Sequence, residues 1–249
     1  MKRLTVWLFL GVILVASELS AAYKTVTVID GGVVTGKVTF KGEAPEPKSI
    51  LISKDKEVCG TGNRVIKEVN VGDNGALRDV VVFLDGIKQG KAWNPPGDGY
   101  LLNQEKCAFH PYLQVIEKGA ELTVLNSDPV THNIHTYELI PIKRKTLRRD
   151  LFNVRQTEQG HKFTQKIKLR RGKAVKVNCD IHNFMLAWLY VIEHPYYAAV
   201  GEDGSFSIAD IPPGTYKVSA WHPILGTQKG KVTLAASGKA EIHFEFSSK

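Results

Sequence analysis

Val177-Asn178-Cys179-Asp180-Ile181-His182-Asn183-Phe184-Met185 sets a thiolate, an imidazole and a thioether at the spacing Cys-x-x-His-x-x-Met. Sulfur donors suit Cu(I), and imidazole suits copper in either oxidation state. Two imidazoles, one thiolate and a weak axial thioether make the electron-transfer copper set. The second imidazole has a candidate upstream, in Asn126-Ser-Asp-Pro-Val-Thr-His132-Asn-Ile-His135. Met185 is the only methionine besides Met1, a sparing use of a residue that cores employ as filler. Zinc fits less well, because thioether is a poor zinc ligand and no second cysteine pair is present. The competing reading is a chance Cys, His and Met packed inside a buried strand and its turn.

The 249 residues are 43% hydrophobic and 23% charged, with 22 Gly and 11 Pro. That is ordinary globular composition, enough for one large or two small domains. Met1-Lys-Arg followed by the apolar run Leu4–Ala16 and the small residues Ser20-Ala-Ala22 reads as a secretory signal peptide over 1–22. The mature chain is therefore expected to be soluble, without a membrane span, and periplasmic or extracellular. Export permits disulfides. Three cysteines are present; if Cys179 binds metal, Cys59 and Cys107 remain as an even pair, and a disulfide between them is expected. Two buried free thiols are the alternative.

The formal charge is +8, and removing residues 1–22 leaves 31 basic and 24 acidic residues. Such a surface favours an acidic protein partner or anionic lipid. An exported chain with no binding motif excludes nucleic acid. The run Lys143-Arg-Lys-Thr-Leu-Arg-Arg149 either docks an acidic partner or is a solvated loop.

Along the chain, Val33–Phe40, Val80–Leu84, Leu113–Ile116, Glu121–Asn126, Gln165–Leu169, Ala174–Cys179 and Leu186–Ile192 are apolar or alternating runs bounded by turn residues, and read as strands. Asn94-Pro-Pro-Gly-Asp-Gly99 is the strongest breaker cluster and marks a domain junction. The tail repeats short strands between Asp203-Gly204 and Pro212-Pro213-Gly214 turns. No mature segment keeps a helical period over three turns. The class is all-β, as sandwiches.

Pro111–Val191 resembles a cupredoxin of the amicyanin and plastocyanin type. The resemblance is carried by Leu113–Asn126, His132-Asn-Ile-His135, Cys179–Met185 and the closing strand. It implies a Greek-key sandwich over 100–195 and one type 1 copper ion held by His132, Cys179, His182 and, axially, Met185. Asn133 would tie the two ligand loops together, and His135 would not be a ligand. Gly36–Gly42, Val80–Leu84, Asp203–Ile208 and Ile211–Tyr216 resemble the two halves of a prealbumin-like, carboxypeptidase-regulatory-like β-sandwich. That sandwich would be split into 23–99 and 196–249 by the inserted cupredoxin.

The resemblance implies an exported one-electron carrier rather than an enzyme, with His182 presenting its ring edge to solvent beside Phe184. The expected partner is a redox protein such as a c-type cytochrome, with an acidic docking face. Copper delivery or storage is the second reading. The third is a carbohydrate- or surface-binding module with a non-functional cupredoxin, in which Trp221, Tyr196 and Tyr197 would stack on sugar instead of packing the core.

Overall fold

The computed structural model describes residues 22–143 and 145–248. The expected signal peptide lies almost wholly outside them, as does Arg144. Among the described residues no helix is long and apolar enough to cross a membrane. The chain is all-β; the one α-helix among the described residues, Lys56–Cys59, is a single turn.

Two sandwiches share the chain. In the first, one sheet has the order Lys162–Lys166, Glu121–Asn126, Tyr100–Glu105, Ala108–His110. The facing sheet runs Lys145–Gln156, His132–Ile142, Ala174–Asn178, Leu186–Ile192, Leu113–Glu117. Leu102, Ile116, Leu122, Val124, Ile134, Val175, Val177 and Leu189 fill the space between them.

The period of two along these strands aims the chemistry. Val175 and Val177 point into the core and Cys179 continues their face. In His132–Ile142 the inward set is His132, Ile134, Thr136 and Glu138, which turns Asn133 and His135 to the other face. The antiparallel register His135↔Asn178 then brings His132 beside the loop that follows Asn178. Glu138, wholly buried, is held by the Arg149 guanidinium and by the backbone N–H groups of Arg170, Arg171 and Gly172 at 2.7–2.9 Å.

The second sandwich is built from both ends of the chain. Gly32–Lys41 pairs antiparallel with Ser205–Ile211 and parallel with Lys239–Glu241 and Phe244–Ser247. Its facing sheet places Val81–Asp85 between Tyr197–Ala199 and Gly214–His222. A Cβ on Gly36 would collide with the Ile242 carbonyl oxygen, so glycine is what lets the last segment lie this close. Val38, Leu84, Phe206, Val218 and Phe246 lie in this separate core.

A third cluster joins the two units: Val81 and Phe83 of one meet Val115, Tyr190 and Ile192 of the other. Trp221 packs on Tyr190 at 4.6 Å between ring centroids, and Trp93 stacks on Tyr197 at 5.7 Å. Tyr196 is fully buried and its hydroxyl donates to the Asp210 carbonyl at 3.0 Å. These aromatics are engaged in packing.

Two segments differ from the sequence expectation. Lys145–Gln156, read as a polar stretch beginning in a basic run, is a 12-residue edge strand. It is largely solvent-facing, so its charges do not alternate with apolar residues. Residues Ile52 and Cys59, from the 23–99 stretch, pack in the core of the first sandwich.

Candidate metal centre

The hairpin closing Asn178 against Leu186 makes 179–185 a tight loop. Met185 N–H donates to the His182 carbonyl at 2.9 Å, and Cys179 N–H reaches the Met185 carbonyl at 3.4 Å. The three positions of Cys-x-x-His-x-x-Met thus share one turn, and Met185 is buried in the same core as Cys179.

Against this loop lies His132, from the start of the neighbouring strand. A ring nitrogen of His132, one of His182 and the Cys179 sulfur lie within 4.8 Å of one another. The two Nδ1 atoms are 3.0 Å apart, and His182 Nδ1 is 3.8 Å from Cys179 Sγ. All three side chains are buried. The structure brings His132, Cys179 and His182 together and leaves His135 out. The His135 ring sits on the outer face, with Nδ1 3.0 Å from Asp180 Oδ2 and Nε2 3.2 Å from Asp150 Oδ1.

Carboxylates fix both imidazoles. His132 Nε2 is 2.8 Å from Asp128 Oδ2, and His182 Nε2 is 2.8 Å from Asp55 Oδ2. With each Nε2–H donated to a carboxylate, each Nδ1 carries a lone pair. Two lone pairs facing each other at 3.0 Å repel unless a proton or a metal ion sits between them. Asp128 is itself held by the Lys106 and Cys107 N–H groups at 2.7 and 2.8 Å.

Asn133 ties the His132 strand to the Cys179 loop. Its Oδ1 accepts from Asp180 N–H at 2.7 Å and lies 3.3 Å from Cys179 Sγ, while its Nδ2 donates to Asn153 and Asp180. Burial lowers the His132 pKa, against the opposing pull of the Asp128 hydrogen bond. Burial likewise raises the Cys179 thiol, against hydrogen bonds from its surroundings. A neutral imidazole is already a ligand; the thiol must lose its proton to the incoming ion.

The expectation that the His182 edge faces solvent is corrected. His182 is 1% exposed and Phe184 6%. The cover is a strap through Ile52–Gly60, which carries Asp55 onto His182. The Cys59–Cys107 disulfide fastens the strap, with Cα atoms 5.1 Å apart. Arg64 reinforces it, donating to the Cys59 and Lys106 carbonyls and lying 5.1 Å over the Phe184 ring. Sequence reasoning missed both carboxylates. Asp128 stands four residues before His132, a local signal that was there to use. Asp55 is 127 positions from His182, and nothing local announces it.

No protein-family model matches the chain, and no curated protein matches it. Solved structures similar to part of it include amicyanin from Paracoccus versutus, at 17% identity over 40% of this chain and 86% of that one, TM-score 0.28. A purple cupredoxin from Nitrosopumilus maritimus is 23% identical over 40% of this chain and 88% of that one, TM-score 0.26. A copper-containing nitrite reductase from Thermus scotoductus is 17% identical over 42% of this chain, TM-score 0.29, and this chain spans only 24% of its length.

Proposed function

We propose that the chain is an exported copper protein that carries single electrons, with one ion held by His132, Cys179, His182 and Met185. The observation that supports this is the pair of buried Nδ1 atoms 3.0 Å apart, each ring tied through Nε2 to a carboxylate, beside a buried thiol. Copper bound there supplies a one-electron Cu(II)/Cu(I) couple, and soft sulfur with imidazole accommodates both states.

The chain's own residues do the rest. Asp128 and Asp55 orient the rings and raise their basicity. Asn133 holds the Asp180 backbone and with it the Cys179 sulfur. The strap and the disulfide exclude water. Cys179 gives up its proton on loading. Because the strap covers His182, the polar route from Cys179 to solvent runs through Asn133 and Asp180 to His135. The chain is read as a carrier, not an enzyme. Its partner is read as a redox protein such as a c-type cytochrome, with an acidic face matched to the basic surface. The split of the second sandwich by an inserted copper unit, with the signal peptide before both, completes the proposed organisation.

The test is Cu(II) added to the purified mature protein. One equivalent should bind and produce an intense thiolate-to-copper absorption in the visible. Cys179→Ser should remove the colour, because serine offers no anionic soft donor at neutral pH. Wild-type protein that stays colourless with its free thiol intact would reject the reading.

A further inference from the structure

The disulfide does more than lie near the donor set: it forms one wall of it. The sulfurs of Cys59 and Cys107 lie within 4.8 Å of each other and of a His182 ring nitrogen. The Cys107 sulfur is equally close to Asp128 and to a ring nitrogen of His132. Both cysteines are buried, at 5% and 1% exposure. As a disulfide these sulfurs are spectators, because the thiolate is the form that ligates metal.

We propose that reduction of Cys59–Cys107 unmasks a second copper site, specific for Cu(I), alongside the first. The reductant is of the dithiol class. One of its thiolates attacks a disulfide sulfur to form a mixed disulfide, and its second thiol displaces the remaining cysteine. The reductant leaves as its own disulfide, and two electrons and two protons end on Cys59 and Cys107. Binding of Cu(I) then expels those two protons to solvent.

The backbone keeps the freed sulfurs together. Cys107 N–H is held by Asp128 at 2.8 Å, and Cys59 N–H by the Asp55 carbonyl at 2.8 Å. Arg64 spans the two strands of chain through the Cys59 and Lys106 carbonyls at 2.8 and 3.2 Å. With Cα atoms 5.1 Å apart, the two thiolates can converge on one ion. Thiolates select Cu(I). His132 and His182 serve the first site, and Asp128 is engaged by His132 and by the Lys106 and Cys107 N–H groups. The freed pair therefore offers two soft donors of its own, short of the four a closed zinc site uses. The buried setting favours the less strongly hydrated, singly charged ion, and Arg64 offsets the anionic charge of a bis-thiolate. The chain would then take up one copper when oxidised and two when its disulfide is open.

The experiment is anaerobic titration of the mature chain with Cu(I) under ascorbate, against a chromophoric bicinchoninate competitor. It is run before and after reduction by dithiothreitol and removal of the reductant. Wild type should withhold one equivalent when oxidised and two when reduced. Cys179→Ser should withhold none when oxidised and one when reduced. Cys59→Ser/Cys107→Ser should withhold one under both conditions. Reduced wild type that still withholds a single equivalent overturns the proposal, as does a second equivalent in the double variant. If the double variant does not fold, Cys179→Ser decides alone, since it keeps the disulfide; no gain on reduction overturns the proposal. Oxidised wild type that takes no copper, while reduced Cys179→Ser takes one, sinks the electron-carrier reading and leaves this one standing.

Discussion

Asp55 Oδ2 lies 2.8 Å from His182 Nε2, across 127 positions of sequence. This contact covers the imidazole edge and fixes its tautomer at once. Removing such a partner typically costs about 10–100-fold in metal affinity. Asp55→Ala should therefore weaken Cu(II) binding by that order in competition titrations. It should also raise the reduction potential, since a less basic imidazole stabilises Cu(II) less. Unchanged affinity and potential would show that Asp55 is only a lid.

Met185→Leu and His135→Ala separate the ligand set from its surroundings. Leucine removes a weak axial donor, so the colour should persist while the potential measured by voltammetry rises. His135 is engaged with Asp180 and Asp150 on the outer face, so its removal should leave colour and stoichiometry unchanged. Loss of metal from His135→Ala with retention in His132→Ala would reverse the assignment.

The Cys59–Cys107 bridge closes a loop of 48 residues. In the chain-entropy account that is worth about 4 kcal/mol. Urea unfolding of the metal-free protein should show a loss of that order in Cys59→Ser/Cys107→Ser. Thiol titration of the unreduced protein should find Cys179 alone; three reactive thiols would contradict the bridge.

Glu138 offers a pH test remote from the proposed copper ligands. Burial alone would raise its pKa, but the three backbone N–H bonds and Arg149 outweigh it and hold the carboxyl below its ordinary value. Its folded pKa thus lies below the unfolded one. The stabilisation is complete above the unfolded carboxylate range and is lost as pH falls through the folded value. Glu138→Gln should cost about 1–3 kcal/mol near neutrality. The gap from wild type should close as the medium is acidified, and a constant gap would place the effect in packing instead.

Period-two patterning made much of this legible beforehand. Alternation puts Val175, Val177 and Cys179 on one face, whereas the choice of His132 over His135 rests on the cupredoxin resemblance. The donors share short motifs, so their convergence could be anticipated. Asp55 could not, because a carboxylate in a turn-rich segment carries no local mark of the imidazole it will meet. Lys145–Gln156 escaped notice for a different reason. An edge strand with water on most of its side chains needs no apolar stripe, so Arg148, Arg149 and Asp150 read as loop.

The pairing of the chain's two ends has a consequence for the order of assembly. Lys37 N–H donates to His243 Nδ1 across 206 positions, and Gly32–Lys41 receives Phe244–Ser247 as a parallel neighbour. Contacts so distant in sequence form slowly. The sheets that hold His132, Cys179 and His182 need nothing beyond Ile192, so they can close while the tail is still loose. The second sandwich therefore locks last, around a unit already shaped, and a chain cut short before Phe244 would leave the Val38–Lys41 stretch as an open strand edge available to other chains.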